Sequence, residues 1–133
     1  MSDDNSLLNE FVDEAKEHLH TADVDLLHLE KNGFDPEVVD RLFRSVHSIK
    51  GVSGFLDLHV IGTLSHAIEN IFSGIRSGDI AITPQVLDVL LEATKRLQEL
   101  IEDIHTSNQA DISALVGALE RTLADALDPA VAI

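Results

Sequence analysis

The chain of 133 residues has nine Lys and Arg against 24 Asp and Glu, for a net charge of −15, and it has no cysteine. Its length suits one domain with a core of its own, its charge repels nucleic acid and anionic lipid, and the lack of thiols excludes disulfide frameworks, thiolate zinc sites and thiol catalysis. With neither a signal peptide nor an apolar run long enough to cross a bilayer, the sequence predicts a cytoplasmic protein without membrane insertion.

A first helix is predicted over residues 6–31, where apolar side chains recur every three or four positions and so form one buried stripe. The stripe consists of Leu8, Phe11, Ala15, Leu19, Ala22, Leu26 and Leu29. Asn32-Gly33 is typical of a helix C-terminus, and Asp35-Pro36 is typical of an N-cap followed by proline at the first helical position. A second helix therefore begins at this point.

Four helical segments follow the first helix along the chain. The second helix ends at a turn over residues 56–58, and its stripe consists of Val39, Leu42, Val46 and Ile49. The third is ended by Gly78, and its stripe consists of Ile61, Leu64, Ile68, Ile71 and Ile75. The fourth opens at Thr83-Pro84, continues to Ile104 and is ended by "TSNQAD". The last segment, residues 111–127, repeats the helical period with Ile112, Leu115, Leu119 and Leu123.

The order of these elements predicts the fold class. No segment alternates as a strand does, and loops of a few residues force neighbouring helices to run antiparallel. We therefore predict an all-α fold, an antiparallel up-and-down four-helix bundle with an additional C-terminal fifth helix. Residues 1–133 are expected to form a single domain, with its core over about residues 6–105 and the fifth helix over about residues 111–127. The terminal "DPAVAI" is expected to be frayed or truncated.

The segment "VHSIKG", residues 46–51, places a histidine beside the apolar stripe of the second helix. When the second and third helices run antiparallel about a turn near residue 57, at about 1.5 Å per residue, His47 lies at the level of His66 and Glu69. Each of these residues lies just off the stripe of its own helix. The spacing therefore predicts a semi-exposed polar patch.

The residue types in this patch suit nucleophilic chemistry. A neutral imidazole has one nucleophilic nitrogen when the other carries the proton, and a carboxylate such as Glu69 fixes that tautomer by accepting the proton's hydrogen bond. Lys50, one turn from His47, favours the neutral imidazole and attracts a phosphoryl group. Gly51 and Gly54 leave the histidine accessible to another protein's active site, although a glycine inside a helix costs about 1 kcal/mol relative to Ala.

Two segments carry a resemblance to a known family. "HSIKG" on the second helix and "SHAIENIFSGIRSGDIAITPQVLDVLLEATKRLQ" on the third and fourth resemble the N-terminal histidine phosphotransfer (HPt) domain of the chemotaxis histidine kinase CheA, over residues 6–105. The resemblance implies that His47 is the phosphoacceptor, that Glu69 orients its ring, and that Lys50 and His66 complete the patch. Residues near the acceptor are expected to contact partner proteins: Phe43, Arg44, Gly51 and Gly54.

The chain departs from the family pattern at two places. The family often has a second small residue after the glycine of "HSIKG", where this chain has Val52. It also has a glycine near the following turn, where this chain has Leu56-Asp57. Both departures concern the geometry of the turn, and neither touches the acceptor residue.

The resemblance implies a phosphorelay intermediate of bacterial two-component chemotaxis signalling. In such a relay, His47 accepts the γ-phosphoryl group of ATP from a kinase catalytic domain, in cis or in trans, and passes it to an aspartate on a response regulator receiver domain, CheY-like or CheB-like. The chain has no Walker-type loop or glycine-rich nucleotide box. We therefore expect ATP on the kinase domain, magnesium on the partners and no cofactor on this chain, which is the phosphoacceptor domain of a histidine kinase and not an autonomous kinase.

A helical bundle that only binds or scaffolds other proteins is the main alternative. A metal-binding bundle is a second one, because Glu102-x-x-His105 and, loosely, Asp25-x-x-His28 have the spacing of metal-ligand pairs. These two pairs fall at opposite ends of an antiparallel bundle, so we predict no metal site. Plain structural roles also stay open for three residues of the patch: Phe43, Lys50 and His66.

Overall fold

The computed structural model describes residues 3–127, and the regular elements in that range are all helical. They are α1 (Asp3–Asn32), α2 (Pro36–Phe55), α3 (His59–Ser77), α4 (Pro84–Glu102), a short 3-10 helix (Ile104–Gln109) and α5 (Ser113–Leu127). The predicted all-α class is confirmed. The terminal segment "DPAVAI", predicted to be frayed or truncated, lies outside the described residues.

The helix ends have the capping groups that the sequence predicts. The side chain of Asp35 accepts a hydrogen bond from the backbone N–H of Glu37, and Thr83 accepts one from Val86 in the same way. In both cases a proline follows directly, where its missing N–H costs nothing. Gly78 ends α3 in the left-handed region, with a φ of 85°, which a residue without a Cβ adopts most readily.

The four long helices enclose one aliphatic core. α2 packs against α3 over the largest contact, and α1 contacts α2 and α4 while α4 also contacts α3, so each helix touches its chain neighbours around a closed ring. This is the arrangement of an up-and-down bundle. The predicted stripes point inward, and the largest fully buried side chains include Leu19, Leu26, Leu42, Ile49, Ile61, Leu64, Ile68, Ile71 and Leu90.

The fifth helix covers one flank of the bundle and contacts α3 and α4. Leu119 is its buried residue, and Ile112 is buried just before it begins. Leu115 and Leu123, which share the predicted stripe, are only partly buried. An open groove therefore remains between α5 and α3.

The connection between α4 and α5 differs from the sequence prediction. We predicted that α4 continues to Ile104 and that "TSNQAD" simply ends it, whereas α4 ends at Glu102 and most of that segment forms the 3-10 helix. The buried Ser107 hydroxyl donates to the carbonyl of Ile104, 2.8 Å away, and closes one of its turns. Short polar residues that bond to nearby backbone favour such a turn over a longer α-helix.

The same connection contacts the turn between α2 and α3, where the chain departs from the family pattern. Asp57 has a φ of 58°, in the left-handed region that glycine usually occupies. Aspartate tolerates this conformation better than most residues. The side-chain amide of Asn108 donates to the Asp57 carbonyl at 2.9 Å. The turn therefore forms without the glycine, with a contact from the 3-10 helix in support.

Gly74 allows the loop after α3 to close against the bundle. The buried side chain of Ile80 lies so close that a Cβ at position 74 would overlap its Cγ1 and Cδ1 atoms. Ile80 cannot retreat freely, because its own N–H donates to the carbonyl of Gly74 at 3.1 Å. This close approach requires glycine at position 74.

We predict that Gly74→Ala lowers the free energy of unfolding by about 1–3 kcal/mol, the usual cost of overpacking. Adding Ile80→Val removes the Cδ1 atom and should recover part of the loss. Urea denaturation measures both effects. Gly117→Ala is the control, since a Cβ there meets only the flexible end of Arg121. A Gly74→Ala protein as stable as the wild type would contradict this reading of the packing.

Candidate functional site

Three side chains from α2 and α3 form a hydrogen-bonded triad. Nδ1 of His47 lies 2.6 Å from Oε2 of Glu69, and Nζ of Lys50 donates to Oε1 of the same carboxylate at 2.7 Å. Glu69 is buried, with 8% of its surface exposed, whereas 60% of the His47 side chain is exposed. The carboxylate is thus an internal support, and the imidazole is the group presented to solvent.

The register of α2 against α3 brings this triad together. His47 and Lys50 lie one turn apart on α2 and so face the same carboxylate on α3. The two helices approach closely next to the site. A Cβ on Gly62 of α3 would lie only 3.0 Å from the hydroxyl oxygen of Ser53 on α2, so there is little room for a larger residue. That hydroxyl donates to the carbonyl of Lys50 at 2.7 Å, which satisfies the buried serine within α2.

The charge of Glu69 is set by two opposing effects. Burial raises the pKa of its carboxyl group, but the hydrogen bonds and charges of Lys50 and His47 act in the other direction and prevail, so the pKa lies below its usual range. The carboxylate is therefore ionised at neutral pH and can only accept hydrogen bonds. When the imidazole is neutral, the proton between Nδ1 of His47 and Oε2 of Glu69 belongs to Nδ1, which leaves the lone pair on Nε2.

Phe43 lies against the imidazole. Its ring is stacked on that of His47 with centroids 5.7 Å apart and planes 13° apart, and the guanidinium of Arg76 lies 3.8 Å from the Phe43 centroid. Arg76 also reaches Asp40 at 3.5 Å, and Arg44 pairs with Asp40 at 3.3 Å. Phe43 is half-buried against the core, so it both packs internally and borders the site.

Sequence reasoning did not include Arg76 or Asp40 in the site. The i, i+4 spacing of Asp40 and Arg44 was the one available signal, since it predicts an ion pair on one face of a helix. Arg76 had no such signal. Its distance from the site in sequence gives no indication that its guanidinium lies over Phe43.

The other predicted site residues lie around the triad without joining it. His66 is exposed, and within residues 3–127 it makes no hydrogen bond to the triad. Together with Lys50 it lines the open groove beside α5, which has a volume of about 800 Å³. A Cβ on Gly51 or Gly54 would meet nothing within 4 Å. These glycines are therefore not required by packing inside the domain, and they leave the surface beside His47 open.

Two of the four residues in the alternative metal interpretation, Asp25 and His28, have other partners. Arg41 donates two hydrogen bonds to the carboxylate of Asp25, at 2.9 and 2.7 Å, and Nε2 of His28 lies 3.2 Å from Asp35. Within the described part of the chain, no group of three His, Cys, Asp or Glu side chains is arranged to hold a metal ion. Across the same residues, no helix combines the length and apolar character needed to cross a bilayer.

Comparison with known proteins places this geometry in a family. The model of the Hpt domain family matches residues 6–107. The chain belongs to the Hpt domain family. Chemotaxis protein CheA of Bacillus subtilis is 39% identical over 102 residues, which cover 77% of this chain and 15% of that protein. The chain spans less than a fifth of the length of the curated relatives that it matches.

Solved structures of Hpt domains share the architecture. The CheA phosphotransferase domain from Thermotoga maritima is similar with a TM-score of 0.72 and 34% identity, covering 78% of this chain and 98% of that one. The phosphorylated P1 domain of CheA3 from R. sphaeroides, solved in complex with CheY6, gives a TM-score of 0.80 at 24% identity over 90% and 96% of the two chains. The second likeness shows the fold alone.

The lowered pKa of Glu69 has a consequence for stability against pH. A carboxyl group whose pKa is lower in the folded state stabilises the fold above its unfolded pKa, and this contribution is lost as pH falls through the folded pKa. We predict that wild type is more stable than Glu69→Gln near pH 6, and that the difference shrinks as the pH is lowered to about 3. Chemical denaturation of both proteins across this range measures it. A difference independent of pH would contradict the charge assigned to Glu69.

Proposed function

We propose that this domain is the phosphoacceptor of a CheA-type histidine kinase. Nε2 of His47 receives the γ-phosphoryl group of ATP from a kinase catalytic domain, in cis or in trans, and passes it to an aspartate on the receiver domain of a CheY-like or CheB-like response regulator. The contact of His47 Nδ1 with the buried Glu69 carboxylate carries this proposal, together with the exposure of the ring. These features leave one basic nitrogen facing outward.

In the first step, the Nε2 lone pair of His47 attacks the γ-phosphorus of ATP. An N–P bond forms, the bond from that phosphorus to the bridging oxygen breaks, and ADP leaves. The imidazole keeps its proton on Nδ1 and becomes positively charged. The Glu69 carboxylate, 2.6 Å from that nitrogen, stabilises the charge as it develops.

In the second step, a carboxylate oxygen of the receiver's aspartate attacks the same phosphorus. The N–P bond breaks, its electron pair returns to Nε2, and His47 is neutral again with the proton still on Nδ1. Because His47 begins and ends the cycle in one protonation state, the domain needs no general base of its own. Lys50 offsets the Glu69 charge throughout, since its Nζ lies 2.7 Å from the carboxylate.

The remaining machinery belongs to the partners. ATP binds to the kinase catalytic domain, and the receiver provides the magnesium that phosphotransfer requires. This domain binds no cofactor and acts in the cytoplasm as one part of a longer phosphotransferase. The similarity to CheA proteins of much greater length supports this division of labour.

Intact mass spectrometry tests the proposal after incubation with ATP and an active chemotaxis-type kinase core. We expect the wild type to gain one phosphoryl group that is labile in acid and stable in base, and we expect His47→Gln to gain none. Subsequent addition of a receiver domain should remove the label from the wild type. Equal labelling of wild type and His47→Gln would overturn the assignment. A scaffold without phosphotransfer predicts no label on either protein and full function in the variant.

The open surface beside His47 leads to a second prediction. Gly51→Leu should preserve or raise stability, because a Cβ there meets nothing and leucine favours helix more than glycine by about 1 kcal/mol. The added side chain obstructs the approach of another active site, so phosphotransfer should slow by roughly tenfold to a hundredfold. Rapid-quench kinetics measures the phosphotransfer rate, and urea denaturation measures the stability. Ala114→Leu, which adds an exposed leucine on α5, is the control. A Gly51→Leu rate equal to that of the control would contradict the role in access.

A further inference from the structure

A single hydrogen bond does not fix the orientation of the His47 ring. The contact from Nδ1 to Glu69 holds one edge of the imidazole, and with 60% of the side chain exposed the ring can swing about that contact. Any such swing moves Nε2, which lies on the far edge of the ring. In-line attack requires Nε2 to point at the phosphorus, and small errors in position cost large factors in rate.

The stack with Phe43 supplies the missing constraint. The two rings lie within 13° of parallel with their centroids 5.7 Å apart, so the face of Phe43 limits the plane that the imidazole can adopt. Offset stacking of this kind is a favourable arrangement for two aromatic rings. Phe43 also packs against the core, which makes it a firmer support than an exposed ring.

Arg76 also contacts Phe43. Its guanidinium lies 3.8 Å from the Phe43 centroid, within the range of a cation–π contact, and reaches Asp40 at 3.5 Å. Asp40 precedes Phe43 by one turn on α2, and His47 follows it by one turn. Phe43 therefore contacts both the imidazole on its own helix and a guanidinium on α3 that also reaches Asp40.

We propose that Arg76 and Phe43 are positioning residues that set the plane of the His47 ring and thereby aim Nε2. The proposal rests on the proposed function of His47 as phosphoacceptor. α3 then acts on the imidazole at two points: Glu69 holds its edge directly, and Arg76, two turns later, sets its plane through Phe43. An aromatic contact is worth about 0.5–1.5 kcal/mol, so loss of the stack should slow phosphorylation by about two- to tenfold.

The experiment compares Arg76→Ala with Arg96→Ala in the whole chain. The two arginines are matched, since 43% and 37% of their side chains are exposed and each pairs with one carboxylate, at 3.5 and 3.3 Å, but Arg96 lies on α4 in contact with Glu99. NMR measures the ring-current shift that Phe43 imposes on the carbon-bound protons of the His47 ring. Steady-state phosphorylation by a kinase core, with this domain as the varied substrate, measures kcat and KM.

Arg76→Ala should lose much of the ring-current shift and lower kcat by about two- to tenfold with little change in KM, while Arg96→Ala should match the wild type. Arg76→Lys keeps the charge next to Asp40 but lacks the flat guanidinium, and it should fall between the two. If Arg76→Ala behaves like Arg96→Ala in both measurements, the proposal is overturned. A higher KM with unchanged kcat also overturns it, because that result marks a docking residue.

The NMR and phosphorylation measurements together distinguish a failure of this inference from a failure of the proposed function. A wild type that is phosphorylated normally, together with unaltered variants, removes only the role of Arg76 and Phe43. A wild type that is never phosphorylated overturns the proposed function and the catalytic consequence of the stack. In that case the ring-current comparison still decides whether Arg76 holds Phe43 against His47.

Discussion

The site depends on one buried carboxylate. Glu69 is 8% exposed and would be costly to keep ionised inside the bundle without compensation. Lys50 and His47 each approach one of its oxygens, at 2.7 and 2.6 Å, and these contacts hold its pKa below the usual range despite burial. Because the carboxylate stays charged, it can only accept, and the proton of a neutral imidazole stays on Nδ1. The nucleophilic role that we propose for Nε2 depends on this electrostatic balance.

The register of α2 against α3 places the three side chains of the triad in contact. The Glu69 carboxylate reaches both donors only because α2 and α3 run antiparallel in one register, which the turn at residues 56–58 sets. Asp57 adopts a left-handed conformation in that turn, supported by Asn108, and the close approach of Ser53 to Gly62 brings the two helices together next to the triad. A slip by one residue would rotate Glu69 away from its partners by about 100°, as helical geometry requires.

Much of this could be predicted from the sequence, because the period of apolar residues and the cap signals at Asp35-Pro36 and Gly78 depend only on local physics. The level of His47 against Glu69 followed from helical rise and a short turn. The contact of Arg76 with Phe43 could not be predicted, since it depends on rotamers and on the rotation of each helix about its axis. The 3-10 helix was missed for a related reason: its stability comes from side-chain bonds to the backbone, which leave no periodic signal.

The most direct test of the central claim is to identify which ring nitrogen of His47 carries the phosphoryl group. The phosphorylated domain, labelled with ¹⁵N on histidine, can be examined by NMR through the coupling between phosphorus and the imidazole nitrogens. The geometry predicts phosphorus on Nε2 and a proton on Nδ1, held by Glu69 2.6 Å away. Phosphorus on Nδ1 would require that contact to break before the reaction, and it would contradict the role assigned to the buried carboxylate.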